Sequence, residues 1–430
     1  MERLNVLLIG AGGREHAIAW KLAQSNLLDT LYIAPGNPGT GKLGINVNIK
    51  PTDFESIKST CINNNIRLVV VGPEEPLVKG IHDFFLSDKQ LSSIPVIGPT
   101  KDGAMLEGSK DFAKGFMSSH NIPTAKYQTF TPKTVSEAKN FLKTLNPPYV
   151  LKADGLAAGK GVVIVDSYEE ACKNLDEFFD GKFGDAGSKV VIEEFLKGIE
   201  LSVFVLTDGN SFVLLPEAKD YKRVGEGDTG LNTGGMGAVS PVPFANAPFL
   251  KKVKERIVIP TINGLNADGI KYVGFIFIGL MNVNGDPYVI EYNVRMGDPE
   301  TEVVMPRIES DLLELLWHCA NGKLSETGII VSQLSASTVI AVSGGYPGSY
   351  KKGLEISGTE KINDAIIFHS GTSTSNGKLV TSGGRVLACT GTGKSLSEAL
   401  KVSYAAAAAI NFEGKYYRKD IGKDVLDLNQ

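Results

Sequence analysis

The segment between Val289 and Glu300 carries polar side chains whose spacing suits chemistry on phosphates. Its first part has the pattern of a β-strand, and because side chains alternate along a strand, Glu291, Asn293 and Arg295 would share one face. A carboxylate and an amide oxygen are ligands that Mg²⁺ accepts beside substrate phosphates, and a guanidinium can hold an anion through two hydrogen bonds. We therefore predict a metal and phosphate site on this face. The alternative is a structural Glu–Arg ion pair.

The other face of this strand carries Ile290, Tyr292 and Val294, which we expect to lie in the core. The strand follows an Asn-Gly-Asp turn at 284–286, which is a strong signal for a β-hairpin. The polar row is therefore predicted at the end of a hairpin that packs on the core.

A glycine-rich turn at 10–15 follows a predicted strand and opens a predicted helix, as the phosphate-binding turn of a dinucleotide fold does. Glu15 occupies the third glycine position, and the second strand ends at 34–36 without an acid to bind a ribose hydroxyl. An NAD site is therefore disfavoured. Backbone amides at a helix N-terminus, with Arg14 beside them, still favour a phosphate of a smaller ligand. A purely structural turn is the alternative.

A second glycine-rich segment, at 154–161, lies between two predicted strands. Such a hairpin loop can close over phosphates, with its backbone amides and Lys160 as donors. Lys152 on the preceding strand and Lys110 at the start of a predicted helix are further candidates for phosphate binding. A single lysine is more often a solvated surface charge, so the argument depends on their occurring together.

Two other glycine-containing segments have different interpretations. The segment at 389–395 resembles a Walker A loop but has Ala388 where glycine is needed, and Ser395 with Glu398 forms a helix capping box that explains it without a nucleotide. The segment at 220–237 is long, polar and rich in glycine. Long ordered loops of this kind are usually functional, and the alternative is a disordered insertion.

The composition limits the class of protein. A chain of 430 residues exceeds one compact core, so we expect about three or four domain-sized units. Four scattered cysteines argue against disulfides and zinc, and a net charge of -4 gives no sign of nucleic acid or an anionic membrane as partner. Residues 1–9 are too short for a signal-peptide core, and no apolar run could cross a bilayer. We expect a cytoplasmic protein with no fused second enzyme, and a monomer as the default state.

Alternating strands and helices up to about residue 104 predict a doubly wound parallel α/β domain at 1–104. We expect a small antiparallel lobe with one helix at 122–192, and a larger α+β domain formed by 105–121 and 193–330. Residues 331–430 are predicted to form a small C-terminal α+β domain that contains an alanine-rich helix. The fold class is therefore a multidomain α/β and α+β protein.

Together these segments resemble the ATP-grasp ligases, and specifically the glycinamide ribonucleotide synthetases (phosphoribosylamine–glycine ligases) of de novo purine biosynthesis. The resemblance covers essentially the whole chain. It is carried by IGAGGREHA at 9–17, APGNPGT at 34–40, VGPEEPL at 71–77, LEGSK at 106–110, LKADGLAAGKG at 151–161, IEEFL at 192–196, DYKRVGEGDTGLNTGGMGA at 220–238, EYNVRMGDPE at 291–300, GGYPG at 344–348, GGRVL at 383–387 and YRKDIG at 417–422.

The resemblance implies a two-lobed ATP-grasp module that ligates glycine to 5-phosphoribosylamine through a glycyl phosphate, with ATP and Mg²⁺ or Mn²⁺ as cofactors. Glu291 and Asn293 would bind the metal, and the implied catalytic residues are Lys152, Arg295 and Asp220. The implied ATP-binding residues are Lys110, Lys152, Gly159, Lys160, Gly161, Glu193, Glu194, Leu196 and Glu200, with Glu200 at the ribose. The implied substrate-binding residues are Gly12, Gly13, Arg14, Glu15, Pro35, Gly36, Asn37, Asp220, Gly297 and Asp298, of which Asp220, Gly297 and Asp298, together with Arg295, would position glycine.

The chain departs from the family pattern at Tyr221, Leu231, Met296 and Glu302, where the family usually has histidine, proline, phenylalanine, and an amide or methionine. Glu302 is expected to add a charge near the site. The open alternatives are another ATP-grasp carboxylate–amine ligase or carboxylase subunit, a nucleotide-binding protein without catalysis, and, more remotely, an NAD-dependent oxidoreductase.

Overall fold

A computed structural model describes residues 2–155, 161–182 and 184–427. The N-terminal part is a five-stranded parallel sheet in the order β3-β2-β1-β4-β5 with helices on its faces, as the sequence predicts. Its elements are β1 Leu4–Gly10, α1 Gly13–Leu22, β2 Leu28–Pro35, β3 Ile45–Asn46, α2 Phe54–Asn63, β4 Ile66–Val71, α3 Glu74–Val78, α4 Ile81–Ser87 and β5 Val96–Ile97. The central strands β1 and β4 are almost entirely buried because helices cover both faces.

Helices α5 and α6 lead into the small lobe, a four-stranded antiparallel sheet in the order β6-β9-β7-β8. Ser109 caps α6 by accepting a hydrogen bond from the amide of Phe112 at 3.1 Å. The elements are α5 Lys101–Gly108, α6 Lys110–Ser119, β6 Tyr127–Phe130, α7 Val135–Leu142, β7 Tyr149–Ala153, β8 Val162–Val165, α8 Tyr168–Glu177 and β9 Val190–Glu194. The lobe has two helices instead of the one predicted, because α7 also buries an apolar side against the sheet.

The larger lobe is built on a four-stranded antiparallel sheet in the order β11-β10-β16-β17. The predicted hairpin between β16 and β17 is present, and its turn residues Asn284 and Gly285 both have positive φ angles, of 52° and 86°. The elements are β10 Ile199–Thr207, β11 Phe212–Leu214, α9 Ala247–Val253, α10 Ile259–Ala267, β16 Gly274–Val283, β17 Asp286–Asn293, α11 Thr301–Val304 and α12 Leu312–Ala320.

The C-terminal part does not form its sheet alone. Its five-stranded sheet has the order β12-β15-β18-β22-β19, and its first two strands come from the glycine-rich segment at 220–237 and its neighbours. The elements are β12 Lys219–Asp220, β13 Arg223–Gly225, β14 Thr229–Asn232, β15 Gly237–Ser240, β18 Ser335–Val342, β19 Ile366–His369, β20 Thr372–Ser375, β21 Lys378–Thr381, β22 Arg385–Gly393, α13 Leu396–Ala409 and α14 Lys423–Asp427. The predicted boundary at residue 331 therefore divides residues that share one sheet.

The segment that resembles a Walker A loop is a strand and a helix cap. Residues up to Gly393 belong to β22, and Ser395 caps α13 by accepting a hydrogen bond from the amide of Glu398 at 3.2 Å. This arrangement agrees with the capping interpretation.

None of the helices in the part of the chain that the structure describes combines the length and the apolar character needed to span a bilayer.

The glycine-rich segment is an ordered hairpin held by the C-terminal part. Arg418, 2% exposed, donates a hydrogen bond to the carbonyl of Arg223 at 2.9 Å and forms an ion pair with Asp228 at 3.2 Å. The amide of Gly227 donates to the carboxylate of Asp420 at 2.8 Å. The alternative of a disordered insertion is therefore wrong.

Replacing Arg418 with methionine should open this hairpin, because Arg223 and Asp228 lose their common partner. Cleavage after the exposed Glu226 by a glutamate-specific protease should accelerate roughly tenfold under native conditions. The control is Arg256→Met, which removes an exposed arginine paired with Asp286 and should leave the rate unchanged. An equal rate for Arg418→Met and the wild type would contradict the bracing role.

Candidate functional site

The polar end of β17 lines a small cavity that lies on the sheet of the larger lobe. Strands β10, β12, β16 and β17 supply its walls, so the β16–β17 hairpin meets the earlier segment that contains β10 and β12 there. The lining residues are Glu200, Leu201, Ser202, Asp220, Lys222, Phe277, Gly279, Leu280, Ile290 and Glu291. The structure therefore brings together Glu200, Asp220 and Glu291, which the sequence places in separate roles.

A β-bulge at Ile290 shapes this wall. Gly279 pairs with Glu291 and the next residue, Leu280, pairs with Val289, so Ile290 is the extra residue of β17. The prediction that Ile290 lies in the core with Tyr292 and Val294 is wrong, since Ile290 lines the cavity beside Glu291. Tyr292 and Val294 are buried as predicted.

The charges in the cavity interact strongly. Lys222 forms an ion pair with Glu200 at 2.8 Å, and Lys222 is the main cause of the lowered pKa of Glu200. Burial acts to lower the pKa of Lys222, but the carboxylates of Glu200, Asp220 and Glu291 outweigh it and raise that pKa well above its ordinary value. Burial raises the pKa of Asp220, and the nearby Glu200 adds to this effect. The cavity thus holds three acids around one lysine.

This donor set fits a hard dication. Carboxylate and amide oxygens are the ligands that Mg²⁺ takes together with phosphates, and an excess of acid in the cavity favours a cation. Asn293 is 8% exposed, and its amide oxygen accepts a hydrogen bond from Arg295 at 3.1 Å. An amide oxygen has a second lone pair, so this contact leaves one for a metal. Among the described residues, no cluster of three or more His, Cys, Asp or Glu is placed to hold a metal ion.

Lys152 and Lys110 lie between the small lobe and the larger one. Lys152 is 5% exposed, and its ammonium donates to the carbonyl of Ile290 at 3.3 Å. Lys110 donates to the carbonyl of Gly155 at 3.0 Å, and burial lowers its pKa. Lys110 therefore contacts Gly155 at the start of the glycine-rich loop, and Lys152 lies on β7, the strand that leads into it. Gly159 and Lys160 lie outside the described residues, and Gly161 is a buried residue whose carbonyl accepts from Ala153 at 2.8 Å.

The end of β9 and the connection from β9 to β10 carry three of the predicted ATP-binding residues, Glu193, Glu194 and Leu196. Glu193 is buried and paired with two lysines, so only its backbone remains for a base. The carboxylate of Glu194 accepts from the amide of Lys126 at 2.8 Å, while Leu196 is half-buried. Their predicted roles in ATP binding stay predictions.

The glycine turn before α1 is already engaged by side chains. The amide of Gly12 donates to Glu15 at 2.6 Å, and the amide of Gly13 donates to the hydroxyl of Ser370 at 2.9 Å. Arg14 is buried and forms an ion pair with Glu15 at 2.6 Å. A phosphate at this helix N-terminus would have to displace these contacts, and the phosphate site stays a prediction.

The loop that contains Pro35, Gly36 and Asn37 lies beside this turn. The amide group of Asn37 donates to the carbonyls of Ala11 and His369, both at 2.9 Å. The C-terminal part therefore supports both the turn and the loop of the predicted ribose-phosphate site.

Arg295 has acidic partners from the N-terminal half of the chain. It forms an ion pair with Glu107 at 2.7 Å and lies 3.4 Å from Glu74, which in turn lies 4.0 Å from Arg14. Burial raises the pKa of Glu107, although Arg295 opposes that effect. The alternative of a structural ion pair is thus realised with Glu107 and not with Glu291.

Gly297 and Asp298 occupy a tight turn before α11. Asp298 forms an ion pair with Arg385 at 3.1 Å, and Arg385 also donates to the carbonyl of Asp298 at 2.8 Å. A Cβ atom on Gly297 would lie 2.4 Å from the carboxylate of Glu300, so a larger residue there would require Glu300 to move. Burial, reinforced by Asp220, raises the pKa of Glu300 to about 7.

The structure shows the burial and the contacts of the four residues that depart from the family pattern. Tyr221 is 3% exposed and donates to Asp424 at 2.6 Å, so it anchors α14. Leu231 is 66% exposed on the glycine-rich hairpin, and Met296 is 1% exposed in the core. Glu302 is fully buried, and burial followed by the nearby Asp298 raises its pKa well above its ordinary value. Burial and Asp298 therefore oppose the extra charge that was expected at Glu302.

The motifs and spacings in the sequence did not identify several charged residues of the site. They are Glu74, Glu107, Lys114, Lys222, Glu300 and Arg385. Lys114 lies one helical turn after Lys110, and that spacing could have indicated a shared face. The other missed residues reach the site through contacts between segments that are distant in sequence, so their spacing gives no signal.

Family models match most of the chain. The models described as phosphoribosylglycinamide synthetase match as the N domain at residues 4–107, the ATP-grasp (A) domain at residues 108–301 and the C domain at residues 336–424.

Curated relatives match along nearly the full chain. A phosphoribosylamine–glycine ligase of Chlorobaculum tepidum is 46% identical over 98% of this chain and 100% of its own. A bifunctional purine biosynthetic protein of Pichia angusta is 47% identical over 98% of this chain, which spans 54% of that relative.

Solved structures show the same fold. The phosphoribosylamine–glycine ligase of Thermotoga maritima matches with a TM-score of 0.85 and 38% identity, covering 97% of this chain and 100% of its own. The biotin carboxylase domain of a Hydrogenobacter thermophilus 2-oxoglutarate carboxylase has a TM-score of 0.71 at 18% identity, covering 97% of this chain and 92% of its own. The second likeness shows the fold alone.

Replacing Glu302 with glutamine should stabilise the protein more at pH 8 than at pH 5. The folded-state pKa of Glu302 lies above its unfolded value, so stability is lost as pH rises from the unfolded pKa towards the folded one. Glutamine releases no proton and avoids this loss. Calorimetry should show a rise in Tm of roughly 2 °C or more at pH 8.

The matched control is Glu309→Gln, which changes an exposed acid near α11 and should shift Tm equally at both pH values. A pH-independent effect of Glu302→Gln would contradict the raised pKa of Glu302.

Proposed function

The chain belongs to the phosphoribosylglycinamide synthetase family, and from that premise we propose that it joins glycine to 5-phosphoribosylamine. The reaction consumes ATP and yields glycinamide ribonucleotide, ADP and phosphate, a step of de novo purine biosynthesis. The observation that carries this function is the similarity along nearly the whole chain to ligases named for it. The resemblance inferred from the sequence is thereby confirmed.

The chemistry needs an activated carboxylate, because a carboxylate is a poor electrophile for an amine. Transfer of the γ-phosphate of ATP to glycine forms glycyl phosphate, and the amine of 5-phosphoribosylamine then attacks the acyl carbon and expels phosphate. The protein contributes alignment and charge neutralisation to the first step. Lys152, which is buried, and Lys110, which is half-buried, are cations between the two lobes and are suited to bind the phosphates of ATP.

Glu291 and Asn293 would hold a Mg²⁺ or Mn²⁺ ion, which supplies charge neutralisation at the phosphates when it is bound. The excess of carboxylates in the cavity supports this assignment. Lys222 would keep Glu200 and Asp220 in place at the cavity wall.

Arg295, Asp220, Gly297 and Asp298 would position glycine at the mouth of the same cavity. The raised pKa of Asp220 and the pKa of about 7 for Glu300 describe a site that holds acids close together before a cation binds. The ammonium of glycine is such a cation, and it would suit these carboxylates.

The phosphate of 5-phosphoribosylamine would bind at the turn before α1 and at the loop of Pro35, Gly36 and Asn37. Arg14 at that turn is 4.0 Å from Glu74, which also lies beside Arg295. This chain of charges connects the proposed phosphate site to the proposed glycine site. A cytoplasmic location and a monomeric state stay predictions.

The direct test is an assay of Mg²⁺-dependent ADP release with ATP, glycine and 5-phosphoribosylamine made in situ, leaving out one component at a time. The expected result is release only when all are present, with glycinamide ribonucleotide as product. Release without glycine or without the amine would favour another ATP-grasp reaction. Binding of ATP without any turnover would favour a nucleotide-binding protein.

Replacing Glu291 with alanine should reduce Mg²⁺-dependent turnover by at least roughly 100-fold, because a metal ligand is lost. The control is Glu255→Ala, which removes an exposed acid from the same lobe and should leave kcat unchanged. Turnover of Glu291→Ala within a few-fold of the wild type would remove the metal assignment.

A further inference from the structure

Three charged side chains are buried together behind the proposed phosphate site. Lys114 forms an ion pair with one carboxylate oxygen of Glu193 at 3.0 Å, and Lys152 forms one with the other oxygen, also at 3.0 Å. The exposed fractions of these side chains are 2% for Lys114, 4% for Glu193 and 6% for Lys152. The single carboxylate of Glu193 thus forms ion pairs with two ammonium groups.

Both lysines are also tied to neighbouring residues of β17. Lys114 donates to the hydroxyl of Thr124 at 2.7 Å, and that hydroxyl donates to the carbonyl of Val289 at 2.7 Å. Lys152 donates directly to the carbonyl of Ile290 at 3.3 Å. The group therefore spans α6, β7, β9 and the strand that carries the metal-binding candidates.

The charge balance of this group is uneven. With both lysines protonated and Glu193 ionised, the group carries one net positive charge in a buried place, which is unfavourable without an anion. Burial opposes ionisation of Glu193, but Lys152 and Lys114 lower its pKa. An arriving phosphate would supply the missing negative charge on the side of Lys152.

We propose that Lys114 is a positioning residue for ATP. Because Lys114 pairs with one oxygen of the Glu193 carboxylate, Glu193 does not fully neutralise Lys152, and Lys152 keeps positive charge for the phosphates. This inference rests on the proposed function, which assigns Lys152 to the phosphates of ATP. Lys114 itself lies behind Glu193 and acts through it.

A charge-removing variant at position 114 follows from this arrangement. In Lys114→Met, Glu193 pairs with Lys152 alone, the pair is neutral, and the phosphates lose their attraction. The Kd for Mg·ADP should rise roughly tenfold. In the double variant Lys114→Met/Glu193→Gln, Lys152 regains its net charge, so the affinity should return to within a few-fold of the wild type.

The same contact predicts a pH dependence. Burial lowers the pKa of Lys114 to about 8, with Glu193 opposing and Lys152 adding to the effect. The charged groups that face Lys114 from other elements are Glu193 and Glu194 on β9 and Lys152 on β7, and the Tyr127 ring lies 5.6 Å from its ammonium. Lys110 and Asp111, in the first turn, are the other charged residues of its own helix. Because a raised pH removes the proton of Lys114, wild-type affinity for ADP should fall from pH 7.5 to 9.5.

The variant Lys114→Arg separates the effect of a positive charge at this position from the effect of losing that charge at high pH. Arginine keeps its proton throughout this range, so this variant should bind ADP tightly with a flat pH profile. The matched surface control is Lys189→Met, which removes an exposed lysine paired with Asp111 at 2.8 Å and should bind as the wild type does at each pH.

The experiment is calorimetric titration of the full chain with Mg·ADP at pH 7.5, 8.5 and 9.5, with kcat and the KM for ATP as second readouts. The expected pattern is a higher KM for ATP in Lys114→Met with a smaller change in kcat, and recovery in the double variant. A double variant as weak as Lys114→Met would overturn the proposal. A wild-type Kd that stays constant with pH would overturn it even if Lys114→Met fails to fold. Failure of the wild type to bind any ADP would instead refute the proposed function.

Discussion

A charge removed from water must find an opposite charge or a strong hydrogen bond, and this constraint organises the whole molecule. Glu193 is the opposite charge for two lysines, Lys152 of the small lobe and Lys114 of α6. Glu107 forms an ion pair with Arg295, and Asp298 forms one with Arg385, in each case between segments that are distant in sequence. The parts of the chain therefore meet through paired charges as well as through apolar packing. The same pairs line the places where we propose that ligands bind.

This arrangement leaves the site with charges that only ligands can balance. The cavity gathers Glu200, Asp220 and Glu291 around Lys222. The pKa values of Asp220 and Glu300 are raised by burial first and by neighbouring acids second. A metal ion and the ammonium group of an amino acid would relieve the crowding on one side. Phosphates would balance the lysines on the other side.

The sequence predicts correctly those parts of the fold that depend on local patterns. The parallel sheet of β1 to β5, the hairpin at Asn284 and Gly285, and the cap at Ser395 all follow from short-range signals. The bulge at Ile290 was missed because the residue alternation along β17 does not show where its pairing register with β16 shifts. For the same reason, the meeting of Glu291 with Asp220 and Glu200, and the choice of Glu107 as partner of Arg295, could not be read from spacing. Motif resemblance named candidate residues, but it did not give their contacts.

The sheet that joins β12 and β15 to β18 and β22 has a consequence for modularity. Strands from the middle of the chain form the outer part of a sheet whose centre comes from the C-terminal part. If that part were cut away, β15 would be left with an open edge, and unpaired edges promote aggregation. The C-terminal part is therefore no detachable accessory. Gene fusions or circular permutations that keep this strand order intact would be tolerated far better than any division of the chain between β15 and β18.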